Sequence, residues 1–434
     1  MAKYETYKDS GIEWIGDIPE HWEVKRLKYI GESIIGITYS PKDLVQENGT
    51  LVLRSSNIQN GKLSLKDTVH INKEIPDKLT TRIGDILICS RNGSRRLIGK
   101  NITINEKTEG ETFGAFMTVF RTEQYEFISK YFNSQVFSGQ SGLFLTSTIN
   151  QLTVNTLNNF FTALPPKKEQ IKIANYLNKK SKKIDKLISQ KKKLIELYEL
   201  EKESIINQAV TKGINPEINL KDSGVANLGG IPEHWDITRM ANIGKFSKGK
   251  GVSKSQITSQ GLPVILYGDI YTKYDHVTND LERKTSKDTS ENSIQIFNND
   301  LLFTASGETK EDIGKCVLFN RNYEAFAGGD VIIFRQNKNN SSFLTYTFNS
   351  FFFKKQKAKL SKGEIVVHIY QSQLRDIYFP LPPNDEQVEI ANYLEKELIK
   401  IKAKEKKIKK LIKLLKEYKI SLISDVVTGK IKVT

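Results

Sequence analysis

Short apolar runs alternate with clusters of Gly, Asn, Ser and Lys from about Trp22 to Pro166, and again from Trp235 to Pro383. Runs of this kind, bounded by turn formers, predict strands: Leu51–Leu53, Asp85–Ile88 and Thr118–Phe120 in the first stretch, Pro263–Leu266 and Asp330–Phe334 in the second. After each stretch the period changes. Behind Leu164-Pro165-Pro166, apolar residues fall at helical spacing through Ile184, Ile188, Leu194, Ile195, Tyr198, Ile205 and Ala209. Behind Leu381-Pro382-Pro383 they do so through Ile401, Ile408, Leu411, Ile412, Leu415, Leu422 and Val426. Each run continues for ~40 residues without interior Gly or Pro, which is roughly 60 Å of helix. Proline suits the start of a helix, and Glu169 or Glu386 in the first turns favours its dipole. The spacings give a narrow seam flanked by Lys and Glu, as a coiled coil requires. Two equal helices in one chain pack most economically on each other, and an antiparallel arrangement places one globule at each end.

The pattern is written twice. Lys8-Asp9-Ser10-Gly11 and Ile18-Pro19-Glu20-His21-Trp22 return as Lys221-Asp222-Ser223-Gly224 and Ile231-Pro232-Glu233-His234-Trp235. Gly84-Asp85-Ile86-Leu87-Ile88 and Ile98-Gly99-Lys100 return as Asn299-Asp300-Leu301-Leu302-Phe303 and Ile313-Gly314-Lys315. Leu164-Pro165-Pro166, Glu169-Gln170 and Ile173–Leu177 return as Leu381-Pro382-Pro383, Glu386-Gln387 and Ile390–Leu394. Between these anchors the halves differ almost completely. A solenoid needs more and shorter repeats, so this is a tandem of two large units. The reading is a mixed α/β chain with a pseudo-twofold internal repeat. A repeat segment (1–21) precedes a strand-rich globule (22–166) and a long helix (167–213). A linker with the second repeat start (214–234) leads to a second globule (235–383) and a second long helix with a tail (384–434).

Composition narrows the partners. The 434 residues suffice for two or three domains. Lys+Arg 66 against Asp+Glu 50 leaves +16, which points to a polyanion; a lysine-rich compositional bias is the other reading. Cys89 and Cys316 stand far apart without a CxxC partner, so neither a disulfide framework nor a thiolate metal site is expected. The first ten residues are polar where a secretory signal needs an apolar run, and no stretch approaches the ~20 apolar residues of a membrane span. The expectation is a cytoplasmic protein.

Each near-match to a catalytic motif fails at a residue its chemistry needs. An amino-methyltransferase needs Asn/Asp-Pro-Pro-aromatic, whereas both Leu-Pro-Pro elements lack the polar residue and the aromatic. Gly244–Gly251 comes near a phosphate-binding loop, but ends in Gly where Ser or Thr would hold magnesium. The first half keeps Gly31 and Gly36 with Ile37 in place of the lysine. A repeated turn beside a strand accounts for both. Glu20, Glu23 and Lys25 suggest a nuclease cluster, yet the second half has Asp236-Ile237-Thr238 there. The five histidines form no metal-ligand spacing, and His21 and His234 read as packing or capping residues.

A strand-rich domain, a Leu-Pro-Pro-x-x-Glu-Gln helix start and a long helix, all repeated once, resemble the specificity subunit of type I restriction–modification enzymes. The Trp14–Trp22 block is also similar to a stretch that often begins these subunits. The resemblance covers nearly the whole chain; its motifs are individually weak but specific in their order and duplication. It implies a non-catalytic subunit in which each domain reads one half of a bipartite, asymmetric site on double-stranded DNA. The helices would serve as a ruler and as a platform for two copies of an adenine-methylating subunit, joined by restriction/translocase subunits. S-adenosylmethionine, ATP and Mg²⁺ would be bound by those partners, and this chain would hold no cofactor or metal. Two other readings remain: a basic coiled-coil protein binding nucleic acid without sequence preference, and a fragment of a fused restriction–modification enzyme.

Residues that read DNA should lie in the loops that do not repeat. In the first globule these are Arg54, Ser56 and Asn57 after a strand, Arg91, Asn92, Ser94, Arg95 and Arg96 leaving another, and the late segment Ser147–Ile149 with Asn150 and Gln151. Arginine can take guanine and asparagine adenine bidentately; solvated loop arginines are the plainer alternative. In the second globule the corresponding residues are Tyr267, Thr304 and Ser306, then His368, Tyr370 and Gln371. Lys245, Lys248, Lys250 and Lys254 suit phosphate contacts, which position without specifying.

Overall fold

A computed structural model describes residues 2–46, 48–144, 150–278 and 280–433. It divides into two compact units, Met1–Lys192 with Lys409–Thr434, and Lys193–Ile408. Each unit holds one strand-rich globule together with stretches of both long helices. The units therefore cut across the linear boundaries, because each helix serves both.

The same core recurs in each unit. In the first, a four-stranded antiparallel sheet runs in the order Asn101–Thr103, Ile86–Cys89, Met117–Arg121, Glu32–Ile35. In the second the order is Cys316–Leu318, Leu301–Thr304, Val331–Arg335, Lys245–Lys248. The central strands are mostly apolar and almost wholly buried because both faces are covered. Ile86, Ile88 and Phe120 face the helical Phe127, Ile128 and Tyr131, while the alternate residues Leu87, Cys89 and Val119 pack with Leu53 and Phe113 of a second sheet. That second sheet contains a parallel pair in both units, Val52 beside Thr112 and Val264 beside Phe326. The predicted strand at Asp85 starts one residue later, since Asp85 builds the turn. It is buried, accepts the Arg82 N–H at 2.9 Å and takes Arg121 bidentately at 2.8 and 2.7 Å. Asp300 does the same with the Phe297 N–H and with Arg335, at 2.7 and 2.6 Å. The residues before them, Gly84 and Asn299, sit at φ 91° and 72°, the left-handed region open to Gly and Asn.

Each globule closes on itself where it meets its helix. Glu23–Arg26 pairs with Phe161–Leu164, and Asp236–Arg239 with Tyr378–Leu381. The two prolines then end the ladder, and helices run over Lys167–Lys212 and Asn384–Val427. Glu169 receives the Trp22 Nε1–H at 2.9 Å, His21 Nε2 at 2.7 Å and the Tyr4 hydroxyl at 3.2 Å. Partial burial works to raise the Glu169 pKa, but hydrogen bonds from His21, Trp22 and Tyr4 outweigh it and hold the carboxyl below its usual range. Trp235 and His234 meet Glu386 at 3.0 and 2.8 Å. The adjacent Gln170 and Gln387 donate to the carbonyls of Pro165 and Pro382 at 2.8 and 2.9 Å.

Within each unit the helical stretches run antiparallel. In the first, Ile173, Leu177 and Ile184 share a core with Leu422, Ile423 and Val426, and Lys419 reaches Asp185 at 2.8 Å. In the second, Ile206, Ala209 and Val210 share one with Ile390, Ala391 and Leu394, and Lys202 lies 3.1 Å from the buried Glu405. Leu411, placed in the seam by its spacing, is instead 39% exposed. A helical apolar stripe can be wider than the seam that one partner helix covers. The glycines of the near phosphate loop have a steric role. A Cβ on Gly249 would meet the Gly328 carbonyl oxygen at 2.2 Å, and on Gly36 the Phe113 carbonyl oxygen at 2.2 Å.

One core position differs instructively between the units. Asn101 donates its amide to the carbonyls of Gly99 and Phe132 at 3.0 and 3.1 Å. At the matching carbonyls, Gly314 and Phe348, the donor is the ammonium of the buried Lys357. Burial pushes its pKa from 10.5 down to about 7. Between those values the unfolded chain binds a proton that the folded chain lacks, so this residue makes stability rise with pH. The slope is up to about 1.4 kcal/mol per pH unit. Denaturant unfolding of Lys357→Met should lack that increment between about pH 7.5 and about pH 9.5; parallel pH dependences in wild type and variant would refute the assignment.

Candidate nucleic-acid interface

Three separate loops of the first globule converge on one concavity of about 1310 Å³. Arg54 and Ser56 come from the turn after Thr50–Leu53, Arg91 and Asn92 from the end of Ile86–Cys89, and Asn150 and Gln151 from the late segment. Local bonds hold the loops together. Asn92 donates to Ser55 Oγ at 3.1 Å, Asn150 donates to the Gly93 carbonyl at 3.1 Å, and Arg91 bridges Gln151. Lys100, of the repeated Ile-Gly-Lys, anchors the first loop from beneath through the carbonyls of Ser55 and Ile58. Desolvation there lowers its pKa. The Arg91 guanidinium lies over the Phe116 ring, 5.1 Å from its centroid, and Phe116 is 58% exposed. Such stacking restricts the side chain without using its donors. Arg91 makes no ion pair among the described residues, whereas Arg54 pairs with Asp67 at 2.9 Å. Arg54 Nε and Ser56 Oγ are buried beneath the loop surface and find no hydrogen-bond partner among the described residues.

The other candidates take different places. Asn57 is wholly buried; its Oδ1 accepts the Arg54 N–H at 2.8 Å and its amide donates to Ser64 and Asp67 carbonyls. It builds the turn and does not line the concavity, so it is a structural residue and not a candidate for contact. Asp269 plays that part in the second globule, accepting the Leu266 N–H at 3.2 Å. Ser94, Arg95 and Arg96 lie in a short turn beside the concavity rather than lining it, with Arg95 donating to the Gly142 carbonyl at 3.0 Å. Ser147, Thr148 and Ile149 lie outside the described residues. Phe116, Tyr39 and Lys100 also line the concavity and were not picked out by sequence. The signal for Phe116 was faint: one large apolar residue between Gly114-Ala115 and a strand.

In the second globule Ser306 Oγ lies 3.0 Å from His368 Nδ1, and Tyr370 stacks on His368 with a centroid separation of 6.4 Å. Ser306 and His368 occupy the strand-paired positions that Arg91 and Gln151 occupy in the first. The corresponding loops of the two halves thus keep matching backbone positions in dissimilar sequence. Thr304 is an exception: it is wholly buried and donates to the Tyr271 hydroxyl at 2.7 Å, so it supports the loop from inside. Tyr267 and Tyr370 are exposed and Gln371 is half-buried. Lys248 ends the sheet-edge strand, Lys250 and Lys254 follow it, and with Lys245 all four are exposed without an ion pair among the described residues. No helix among the described residues is long and apolar enough to cross a membrane.

Known proteins match this architecture along its length. A sequence model of the type I restriction modification DNA specificity domain matches residues 19–197 and again 232–414. The StySPI type I specificity subunit of Salmonella potsdam is 24% identical over 401 residues, covering 88% of this chain and 82% of that subunit. The MjaX specificity subunit of Methanocaldococcus jannaschii is 26% identical, with 99% and 98% covered. Among solved structures, a chain of a type I R-M system superposes with a TM-score of 0.71 at 16% identity, covering 95% of this chain and 99% of that one. The HsdS subunit from Thermoanaerobacter tengcongensis does so with a TM-score of 0.53 at 16% identity, covering 95% and 98%.

The two asparagine and arginine roles separate cleanly in a stability assay. Asn57→Ala should cost about 1–2 kcal/mol in denaturant unfolding, through the lost cap and unpaired carbonyls. Arg91→Ala should stay within about 0.5 kcal/mol of wild type, as exposed loop changes do. Equal losses would mean that Arg91 is structural.

Proposed function

The chain belongs to the family of type I restriction–modification DNA specificity subunits, and from that premise we propose that each globule reads one half of a bipartite, asymmetric DNA site. The chain is the DNA sequence-recognition component of such a system, and it is not the catalytic one. The observation that carries the bipartite reading is the matched pair of surfaces, Arg91 with Gln151 and Ser306 with His368. Equivalent backbone positions with different donors and acceptors suit two half-sites of different sequence. The first head offers the Arg91 guanidinium for a bidentate contact to a purine edge in the major groove, with Arg54 and Asn92 beside it. Arg96, Ser56, Asn150 and Gln151 extend that surface. The second reads through Ser306, His368, Tyr370, Gln371 and Tyr267, with Lys248, Lys250 and Lys254 on phosphates.

The helices supply the partner surface. Ile171 and Val388 hold equivalent positions in the repeat and are 54% and 40% exposed; Leu197 and Leu414 do likewise at 50% and 49%. Each unit carries one member of each pair, which suits two copies of one methyltransferase subunit bound symmetrically. Those subunits would bind S-adenosylmethionine and methylate adenine, and restriction/translocase subunits would bring ATP and Mg²⁺ chemistry. The length of the helices sets the unread spacer between half-sites.

Co-expression with a partner methyltransferase subunit, followed by single-molecule sequencing of modified adenines, should yield a split motif of two short blocks and a fixed gap. Absence of partner-dependent adenine methylation would overturn the proposal. Arg91→Ala should relax one base of one block only, at a cost of about 1–3 kcal/mol; relaxation in both blocks would refute the one-head-per-half assignment. Deleting one heptad from each helix should change the gap or abolish assembly, and an unchanged gap in an active complex would refute the ruler.

A further inference from the structure

The least covered apolar side chain of the second globule is Ile365, 91% exposed, followed by Val366 at 51%. They stand at the tip of a turn closed at its base by backbone pairing. Lys362 and His368 exchange both backbone hydrogen bonds, at 3.0 and 2.8 Å. Gly363 sits at φ 102°, and a Cβ there would meet the Val366 carbonyl oxygen at 2.1 Å. Val367 and Ile369 are buried beneath the tip, so the aliphatic pair is held outward and cannot fold back. The next residues along the hairpin are His368 and Tyr370 of the reading surface, and Ser306 pairs with His368.

We propose that Ile365, backed by Val366, is an apolar wedge that enters a base step of the half-site read by the second globule. This rests on the DNA reading above and adds a mechanical element to it. Size decides between DNA and protein as the occupant. A stable protein interface needs ~800 Å² from each partner, far beyond two aliphatic side chains, whereas a single inserted Ile or Leu suffices to part a base step. Charge agrees. Lys355, Lys359 and Lys362 are exposed on the segment that leads into the turn, against Glu364 within it and Glu308 next along the strand paired with Val367, so that segment carries a net positive charge that suits phosphates. An inserted wedge unstacks and bends the duplex, and the second half-site would then be selected by how easily one step opens as well as by base edges.

The test uses the assembled complex and duplexes carrying the split motif found by methylation sequencing. 2-Aminopurine is placed at successive positions of the second half-site, excluding the target adenine, which methylating subunits extrude. Fluorescence should rise several-fold at one step with the wild-type chain. Ile365→Ala should abolish most of that rise and weaken binding by ~10-fold, while Ile365→Leu should restore both. A split motif with flat fluorescence at every step, or a rise that Ile365→Ala leaves intact, overturns the wedge alone. Loss of complex assembly in Ile365→Ala also overturns it, in favour of a protein contact. A wild-type chain that directs no split-motif methylation takes down both the wedge and the DNA reading.

Discussion

Two carboxylates at the starts of the long helices organise this molecule. Glu169 gathers the indole of Trp22, the imidazole of His21 and the hydroxyl of Tyr4; Glu386 gathers Trp235 and His234. Each indole is wholly buried and would be worth about 3–5 kcal/mol if truncated to Ala. The junction ties the first strand of a globule to the helix that begins after its last strand. The far ends of the helices arrive at the same places: a Cβ on Gly213 would lie 3.5 Å from the Trp235 ring, and one on Gly429 3.4 Å from the Trp22 ring. A globule, the start of one helix and the end of the other are therefore one folding unit.

The loops that differ between the two units are held by other contacts than this junction. The buried Asp–Arg pairs, the glycines that let strands approach, and the Lys100 and Lys315 ammonium groups set loop positions through backbone atoms. Because the supports grip carbonyls and N–H groups, the side chains on the loops can change without loss of the fold. Arg91 over Phe116 and Ser306 beside His368 are two outcomes at one pair of backbone positions. The interior shows the same tolerance where Lys357 performs the work of Asn101 with a different side chain from a different element.

The same logic explains which residues a sequence reader misplaces. Asn57 and Thr304 have the chemistry of base readers, yet Asn57 is consumed by the backbone of its own loop and Thr304, buried at a strand end, by the Tyr271 hydroxyl. Leu411 has the spacing of a seam residue but lies on the uncovered flank. Phe116 and Ile365 went unnoticed because an isolated apolar residue in a loop is unremarkable until its exposure is known.

The sequence by itself determined the duplication, the alternation of strand-rich globule and long helix, the helix starts behind each Leu-Pro-Pro, and the basic charge. Those features are local or periodic, and periodicity survives without knowledge of contacts. Tertiary structure alone decided that Trp22 and Glu169 are partners, that three loops distant in the chain make one concavity, and which of their polar groups remain free. Hydrogen-bonding capacity belongs to the residue type, in the wholly buried Asn57 as in the exposed Arg91, whose guanidinium makes no ion pair among the described residues. What distinguishes them is whether neighbouring backbone atoms have already taken it.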